Sequence, residues 1–251
     1  MRRTYIVLLS IFCVFIGTCV ALWCMRDRLI ASLLNQISPR ELMYPAAPPT
    51  PAPVSTPMSE LLARYEAFLR EKVPKVYAEL QPGLTDSDID QLEQKYNVKL
   101  TADLRALYRW RNGSKRNPML ATFPAYYQFI PLDVALNNRD VMRRDIQARD
   151  GVQQALSRAF LGHRESWVGI IEDGMGDGYF FDPRRTEAQG SFFFCSKELD
   201  YVFYPRFANY LAELVEGEKV GIYRAGPHGV EAADFEKSIR LMRQYGATPR
   251  R

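Results

Sequence analysis

Trp167-Val-Gly-Ile-Ile-Glu-Asp-Gly-Met-Gly-Asp-Gly-Tyr-Phe-Phe-Asp-Pro183 is the stretch whose reading decides the fold. Trp167, Val168, Ile170 and Ile171 form one apolar run, and Tyr179, Phe180 and Phe181 form another. Gly174, Gly176 and Gly178 lie between them, among Glu172, Asp173 and Asp177. β-branched and aromatic runs around a glycine-rich turn predict two paired strands. Three chemical readings compete for the acidic turn. A calcium loop needs several oxygens at fixed spacing, and the alternation of an EF-hand is missing. A dinucleotide fingerprint needs Gly-x-Gly-x-x-Gly opening a helix, whereas Gly174-x-Gly176-x-Gly178 leads into a strand. Paired carboxylates for glycoside hydrolysis would stand on a turn with no pocket implied. Against these stands a plainer reading: the glycines make the turn, and Asp173, Asp177 and Asp182 accept bonds from its backbone amides. A protein-binding role for the acidic tip can be added to that reading without conflict.

The rest of the composition narrows the function classes. The chain has 251 residues, is 25% charged and carries a net charge of +4. That balance is ordinary for a folded domain and does not call for nucleic acid, since no basic stripe is interleaved with aromatics. Arg139, Arg143, Arg144 and Arg149 cluster, but Asp140, Asp145 and Asp150 sit among them, as on a solvated helix face. Of the four cysteines, Cys13, Cys19 and Cys24 are in the N-terminal apolar segment and Cys195 stands alone. His163 and His228, the two histidines, are far apart. Neither a disulfide framework nor a zinc site is expected, and no cofactor motif is present. His163 reads as a surface-loop residue, and Cys195 as a core cysteine.

Tyr5 to Trp23 holds no charged residue. At about 1.5 Å per residue it spans about 28 Å, close to a bilayer core. Arg2, Arg3, Arg26 and Arg28 flank it, with Tyr5 and Trp23 at its ends. Residues 1–28 are therefore expected to be a single transmembrane anchor. A cleaved signal peptide is the competing reading, but the apolar run is long and no small-x-small site follows. A lipoprotein site at Cys19 would have Thr18 before it, a poor residue there. The flanking arginines balance, so orientation rests on the short basic N-terminus, which argues for a domain outside the cytoplasm. Residues 29–57 read as a juxtamembrane helix (Leu29, Ile30, Leu33, Leu34, Ile37) and a spacer with six prolines from Pro45 to Pro57.

Helices then follow. Thr56-Pro57 is a start signal, with Leu61, Leu62, Tyr65, Phe68 and Leu69 as one apolar face. Leu80-Gln-Pro-Gly-Leu84 is a turn. Thr85 caps a helix whose inner face is Ile89, Leu92 and Tyr96 and whose stop is Asn97. Thr101 starts another with Leu104, Leu107 and Tyr108 inward, and Asn112-Gly113 is expected to end it with a left-handed cap. Trp110, near that end, is expected to be partly exposed. Residues 126–132 read as a strand, 133–160 as helix in two pieces, 191–195 and 201–204 as short strands. A helix with Phe207, Tyr210, Leu211 and Leu214 inward follows.

The run from Leu80 to Gly113, with its Pro-Gly turn, Ile89, Glu93 and closing Asn112-Gly113, resembles the opening of the SUKH superfamily. That superfamily comprises yeast Smi/Knr-type cell-wall regulators and bacterial immunity proteins. Trp167 to Pro183 is similar to its second signature, which is the more specific of the two. Thr101 departs from the family, which has proline after the position of Leu100. The resemblance covers roughly Met58 to Val215. It implies an α+β fold with helices on one side of a mainly antiparallel sheet, residues 58–216 as the family domain, and a non-catalytic module that binds another protein. Two partners are open: a toxin domain, as for an immunity protein, or an envelope protein, as for a regulatory scaffold. The expected partner-binding residues are Trp110, Glu172, Asp173, Asp177 and Asp182. Residues 217–251 read as an extension with one helix over 231–245, with Phe235, Ile239 and Met242 inward.

Overall fold

The computed structural model describes residues 54–115, 120–124, 127–154, 164–186, 190–196 and 201–250. The expected anchor over 1–28, most of the spacer and His163 lie outside the described residues. Among the described residues no helix is long and apolar enough to cross a membrane. The chain divides into two units, residues 46–143 with 165–251, and residues 1–45 with 144–164. Of the second, the described part is helical at 144–148 and 151–154, with Arg149 donating to Asp145 at 2.7 Å.

The larger unit begins with α1 (Met58–Lys72) and α2 (Pro74–Glu79), which meet at Val73. Strand β1 (Leu80–Pro82) leads to α3 (Asp86–Tyr96), α4 (Ala102–Trp110) and β2 (Arg111–Ser114). Next come β3 (Gln128–Phe129), α5 (Leu132–Ala148), β4 (Val168–Glu172), β5 (Gly178–Phe181), β6 (Phe192–Cys195), β7 (Tyr201–Tyr204) and α6 (Phe207–Lys219). The chain closes with a hairpin, β8 (Tyr223–Gly226) and β9 (Gly229–Ala232), then α7 (Phe235–Gln244) and β10 (Thr248–Arg250). The main sheet has six antiparallel strands in the order β10-β7-β6-β5-β4-β3.

Strand alternation sorts the aromatics between two faces. Tyr179, Phe181, Phe192 and Tyr204 face the helices and join Leu69, Ile89, Leu104, Leu107, Phe207 and Leu211 in the main core. Trp167, Phe193, Cys195 and Phe203 form a buried cluster with Phe180 on the other face. Tyr179 lies at the centre of the main core, 4.4 Å from the Tyr210 ring and stacked on Phe192 at 5.7 Å.

Local signals hold where the partner is a few residues away. Thr85 accepts from the Asp88 amide at 3.1 Å, and the Asp88 carboxylate accepts from the Thr85 amide at 3.0 Å, a capping box. Asn97 is left-handed at φ 47°. Thr101 Oγ1 accepts from the Leu104 amide, so the departure from the family's proline leaves the helix start intact. Glu93 is buried; its carboxylate accepts from the Leu100 amide at 2.9 Å and pairs with Lys99 and Arg105.

Other signals resolve differently. Pro57, not Thr56, is the N-cap of α1, and no side-chain cap bond forms there. α4 ends at Trp110 with an extended Arg111, so Asn112 and Gly113 lie inside β2. Gly113 does have positive φ, +75°, but its use is a close approach to Pro131. Asn112 Oδ1 accepts from the Leu132 amide at 2.9 Å and so caps α5 from a distant strand. In α7 Ser238 and Leu241 are buried and Met242 packs against the core as expected, while Phe235 is 73% exposed. The expected extension is more than one helix: β8, β9 and β10 are added to α7, and β10 pairs with β7 at the sheet edge.

One long-range bond organises α6. Its N-cap residue, Arg206, makes no side-chain cap bond. Asp103 on α4 supplies the cap instead, with Oδ2 accepting from the Ala208 amide at 3.1 Å while both oxygens hold the Arg206 guanidinium. Asp103→Ala removes the cap and strands a buried N–H, so chemical denaturation is expected to show a loss of about 2 kcal/mol. A change under about 0.5 kcal/mol would mean that α6 does not need this cap.

Candidate functional site: the acidic turn

β4 and β5 pair antiparallel, with Val168 opposite Phe181 and Glu172 opposite Gly178. The turn between them is set by its own atoms. Gly174 and Gly176 have φ of +77° and +113°, angles that a Cβ disfavours. Asp173 Oδ1 accepts from the Met175 amide at 2.7 Å and the Asp177 amide at 3.1 Å. The Asp173 amide donates to the Asp177 carbonyl at 3.1 Å. Asp173 thus bonds to the turn's backbone as expected, and the tip is a preorganised knob. Met175 projects from it, 79% exposed.

Glu172 and Asp177 flank the knob. The Glu172 carboxylate lies over Gly169, so close that a Cβ at 169 would stand 1.5 Å from Oε1. Burial, helped by the negative charge of Asp173, raises the Glu172 carboxyl above its ordinary range. Tyr127 completes the site. Its ring packs edge-on against Tyr179 and Phe194 at 5.9 and 6.0 Å. Burial, and then Asp177 and Asp173, hold its phenol well above the ordinary tyrosine value, so it remains a neutral hydroxyl. The sequence offered Tyr127 only as a residue of an expected strand, because its proximity to the turn is created by sheet pairing.

The five expected site residues do not form one surface. Glu172, Asp173 and Asp177 come together. Asp182 is fully buried at the other end of β5, where Oδ1 accepts from the Arg184 amide at 3.0 Å and the carboxylate takes the Arg184 guanidinium through both oxygens. It closes a turn and offers nothing to a partner. Trp110 is partly buried, as expected, but belongs to another cluster. Its indole N–H donates to Glu66 on α1 at 2.5 Å. The same carboxylate accepts from Tyr77, Arg70 and Arg111, each at 2.9 Å. Trp110 therefore ties the end of α4 to α1.

Among the described residues no group of His, Cys, Asp and Glu side chains is arranged to hold a metal ion. Cys195 is buried, and its Sγ lies 3.3 Å from the Ser196 carbonyl oxygen.

A comparison with curated proteins returns no match. A comparison with family profiles returns the SMI1 / KNR4 family (SUKH-1) over residues 83–217, more than half of the chain. That interval runs from Gly83, in the turn before α3, to the last turn of α6 and contains the acidic knob. The α3–α4 caps, the buried Glu93, the glycine turn of β4–β5 and this match agree, and the chain belongs to the SMI1 / KNR4 family (SUKH-1).

Proposed function

We propose that this protein is a non-catalytic binding module that captures another protein through the acidic knob, and that residues 5–23 anchor it in a membrane. The observation that carries the reading is the shape and chemistry of the knob. It is fixed by its own backbone bonds, tipped by an exposed methionine and flanked by carboxylates. An acidic turn with an exposed, flexible thioether suits a basic protein partner, drawn in by charge and held by contact at the tip. Membership in a family that includes immunity proteins supports a toxin domain as that partner. A second reading, an envelope regulator, is favoured by the uncharged segment from Tyr5 to Trp23. Residues 29–57 would then act as the spacer that holds the domain away from the bilayer.

The test separates charge from shape. Glu172→Gln with Asp177→Asn leaves the Asp173 backbone bonds in place and removes two carboxylates. With a photo-crosslinker at position 175 of the full-length chain in its native cell, a basic protein is expected to be captured. The double variant is expected to reduce capture about tenfold, with a weaker salt dependence. Capture that is unchanged by the double variant removes the knob from the interface. A toxin encoded beside this chain as the captured species favours immunity over scaffolding, and a cell-envelope protein favours the reverse.

A further inference from the structure

Among the described residues an unusual buried group stands apart from the knob. Glu213, on α6, is 1% exposed and stands in the aromatic core. Its carboxylate accepts from the Tyr204 hydroxyl of β7 at 2.7 Å and from the Tyr223 hydroxyl of β8. The other ionisable groups that act with it are also phenols: Tyr179 from β5, Tyr210 on its own helix, and Tyr245 after α7, with Tyr65 of α1 behind Tyr210 and Tyr223. Glu216, near Tyr245, is the further carboxylate on that side. No lysine, arginine or histidine faces Glu213 among the described residues.

The two hydroxyls belong to different parts of the chain. Tyr204 is in the sheet of the family domain, whereas Tyr223 lies beyond the family match at residue 217. The Tyr223 ring fills the notch at Gly217, one turn after Glu213, where a Cβ would stand 2.4 Å from Cδ2. Other ties of the C-terminal segment include the Ala121 pairing with β9, the Asn209 amide donating to the Tyr245 carbonyl, β10 on β7, and the apolar packing of Ile222, Val230, Leu241 and Ala247 in the main core. Among the described residues Glu213 is thus a buried polar group that helps to fasten the hairpin to the domain.

We propose that Glu213 is a protonation-controlled latch for the C-terminal segment, with its neutral carboxyl holding the β8–β9 hairpin closed and its carboxylate loosening it. A buried anion supported only by hydroxyls carries an uncompensated desolvation cost. The least costly way to hydrate it is to lift the part of the cover that is least embedded. That part is the ten-residue hairpin from Tyr223 to Ala232, not a central strand. Burial drives the Glu213 carboxyl up, the two hydroxyl donors draw it partly back, and it stands at about 7 against an ordinary 4.5. Because the closed form binds the proton more tightly than the open form, closure is strongest below pH 4.5. It weakens as pH rises to about 7 and is level above that.

Hydrogen exchange of the full-length chain in mild detergent tests this. The readout is the protection factor of the β8–β9 amides, the ratio of the exchange rate of an unstructured peptide at the same pH to the observed rate, which removes the intrinsic pH dependence of exchange. In the wild type this ratio is expected to fall on the order of a hundredfold from pH 5 to pH 7.5 and then flatten. Glu213→Gln should give a ratio independent of pH. Should that variant not fold, Tyr223→Phe serves in its place. It removes one donor that favours the ionised form, so the pH at which the fall levels off should move upward by about one unit. A wild-type ratio that stays constant with pH, or a fall that persists in Glu213→Gln, or an unmoved levelling pH in Tyr223→Phe, overturns the latch.

Discussion

Gly113→Ala is expected to destabilise the domain by about 3 kcal/mol or more in urea unfolding. Two costs add. The residue has φ of +75°, where an L side chain costs about 1–2 kcal/mol. The new Cβ would also stand 2.4 Å from the Pro131 nitrogen and 2.7 Å from its Cα, backbone that cannot rotate aside. Relief requires β2 to draw away from the start of α5. That movement lengthens the bond from the Leu132 amide to Asn112 Oδ1, now 2.9 Å, and the bond from Ser114 Oγ to the Phe129 carbonyl, now 3.1 Å. Gly174→Ala is the matched control. Its φ is similar, +77°, but nothing lies within 4 Å of the added carbon. It should cost only about 1 kcal/mol, the conformational share. Equal losses for the two variants would show that the approach to Pro131 has no energetic weight.

Glu66→Gln is expected to cost about 3 kcal/mol at pH 7 and to flatten the acid limb of the stability profile. Burial alone would raise the Glu66 carboxyl. Its bonds from Trp110, Tyr77, Arg70 and Arg111 outweigh that and hold it at about 2, against an ordinary 4.5. The folded form therefore releases its proton more readily than the unfolded form. The stabilisation is complete above pH 4.5 and is lost as pH falls through 2, and the difference corresponds to about 3 kcal/mol. Glutamine keeps the shape but cannot accept four donors. Guanidinium unfolding at pH 2, 3, 4.5 and 7 checks this: the wild type should lose stability from 4.5 to 2 by about that amount more than the variant. Parallel profiles would mean that Glu66 is not the group behind the acid limb. Glu213 acts with the opposite sign, since its stabilisation is present below 4.5 and lost towards 7. Together the two carboxylates place their joint optimum near pH 4.5.

Read residue by residue, the chain announces some features and hides others. The caps at Thr85 and Thr101 and the stop at Asn97 are legible because cap and amide are three or four residues apart. The β4–β5 turn is legible because Asp173 bonds to amides two and four residues on. Gly113 reads as a helix cap because positive φ is all that its neighbourhood implies; Pro131, which explains it, is distant in sequence. Phe235 reads as a core residue by type, yet Ser238 and Leu241 take the inner face of α7. Packing on Gly217 and Tyr223, not hydrophobicity, sets the rotation of that helix. Asp182 has the same residue type as Asp173 and Asp177 in the expected site, and its burial with Arg184 is what shows that it is spent on structure.

By itself the sequence determined the α+β class, the order of helices before sheet, the paired strands around the acidic turn and the family resemblance. These rest on periodicity and on hydrogen bonds that span a few residues, which any window of the chain contains. Only the tertiary structure decided which acidic residues reach solvent, that Trp110 is tied to Glu66, that Asp103 caps a helix more than a hundred positions away, and that a glutamate buried among tyrosines fastens the C-terminal segment. Each of these depends on desolvation and on partners brought together by packing. A charge's environment is a property of the folded neighbourhood, and no local pattern of residues encodes it.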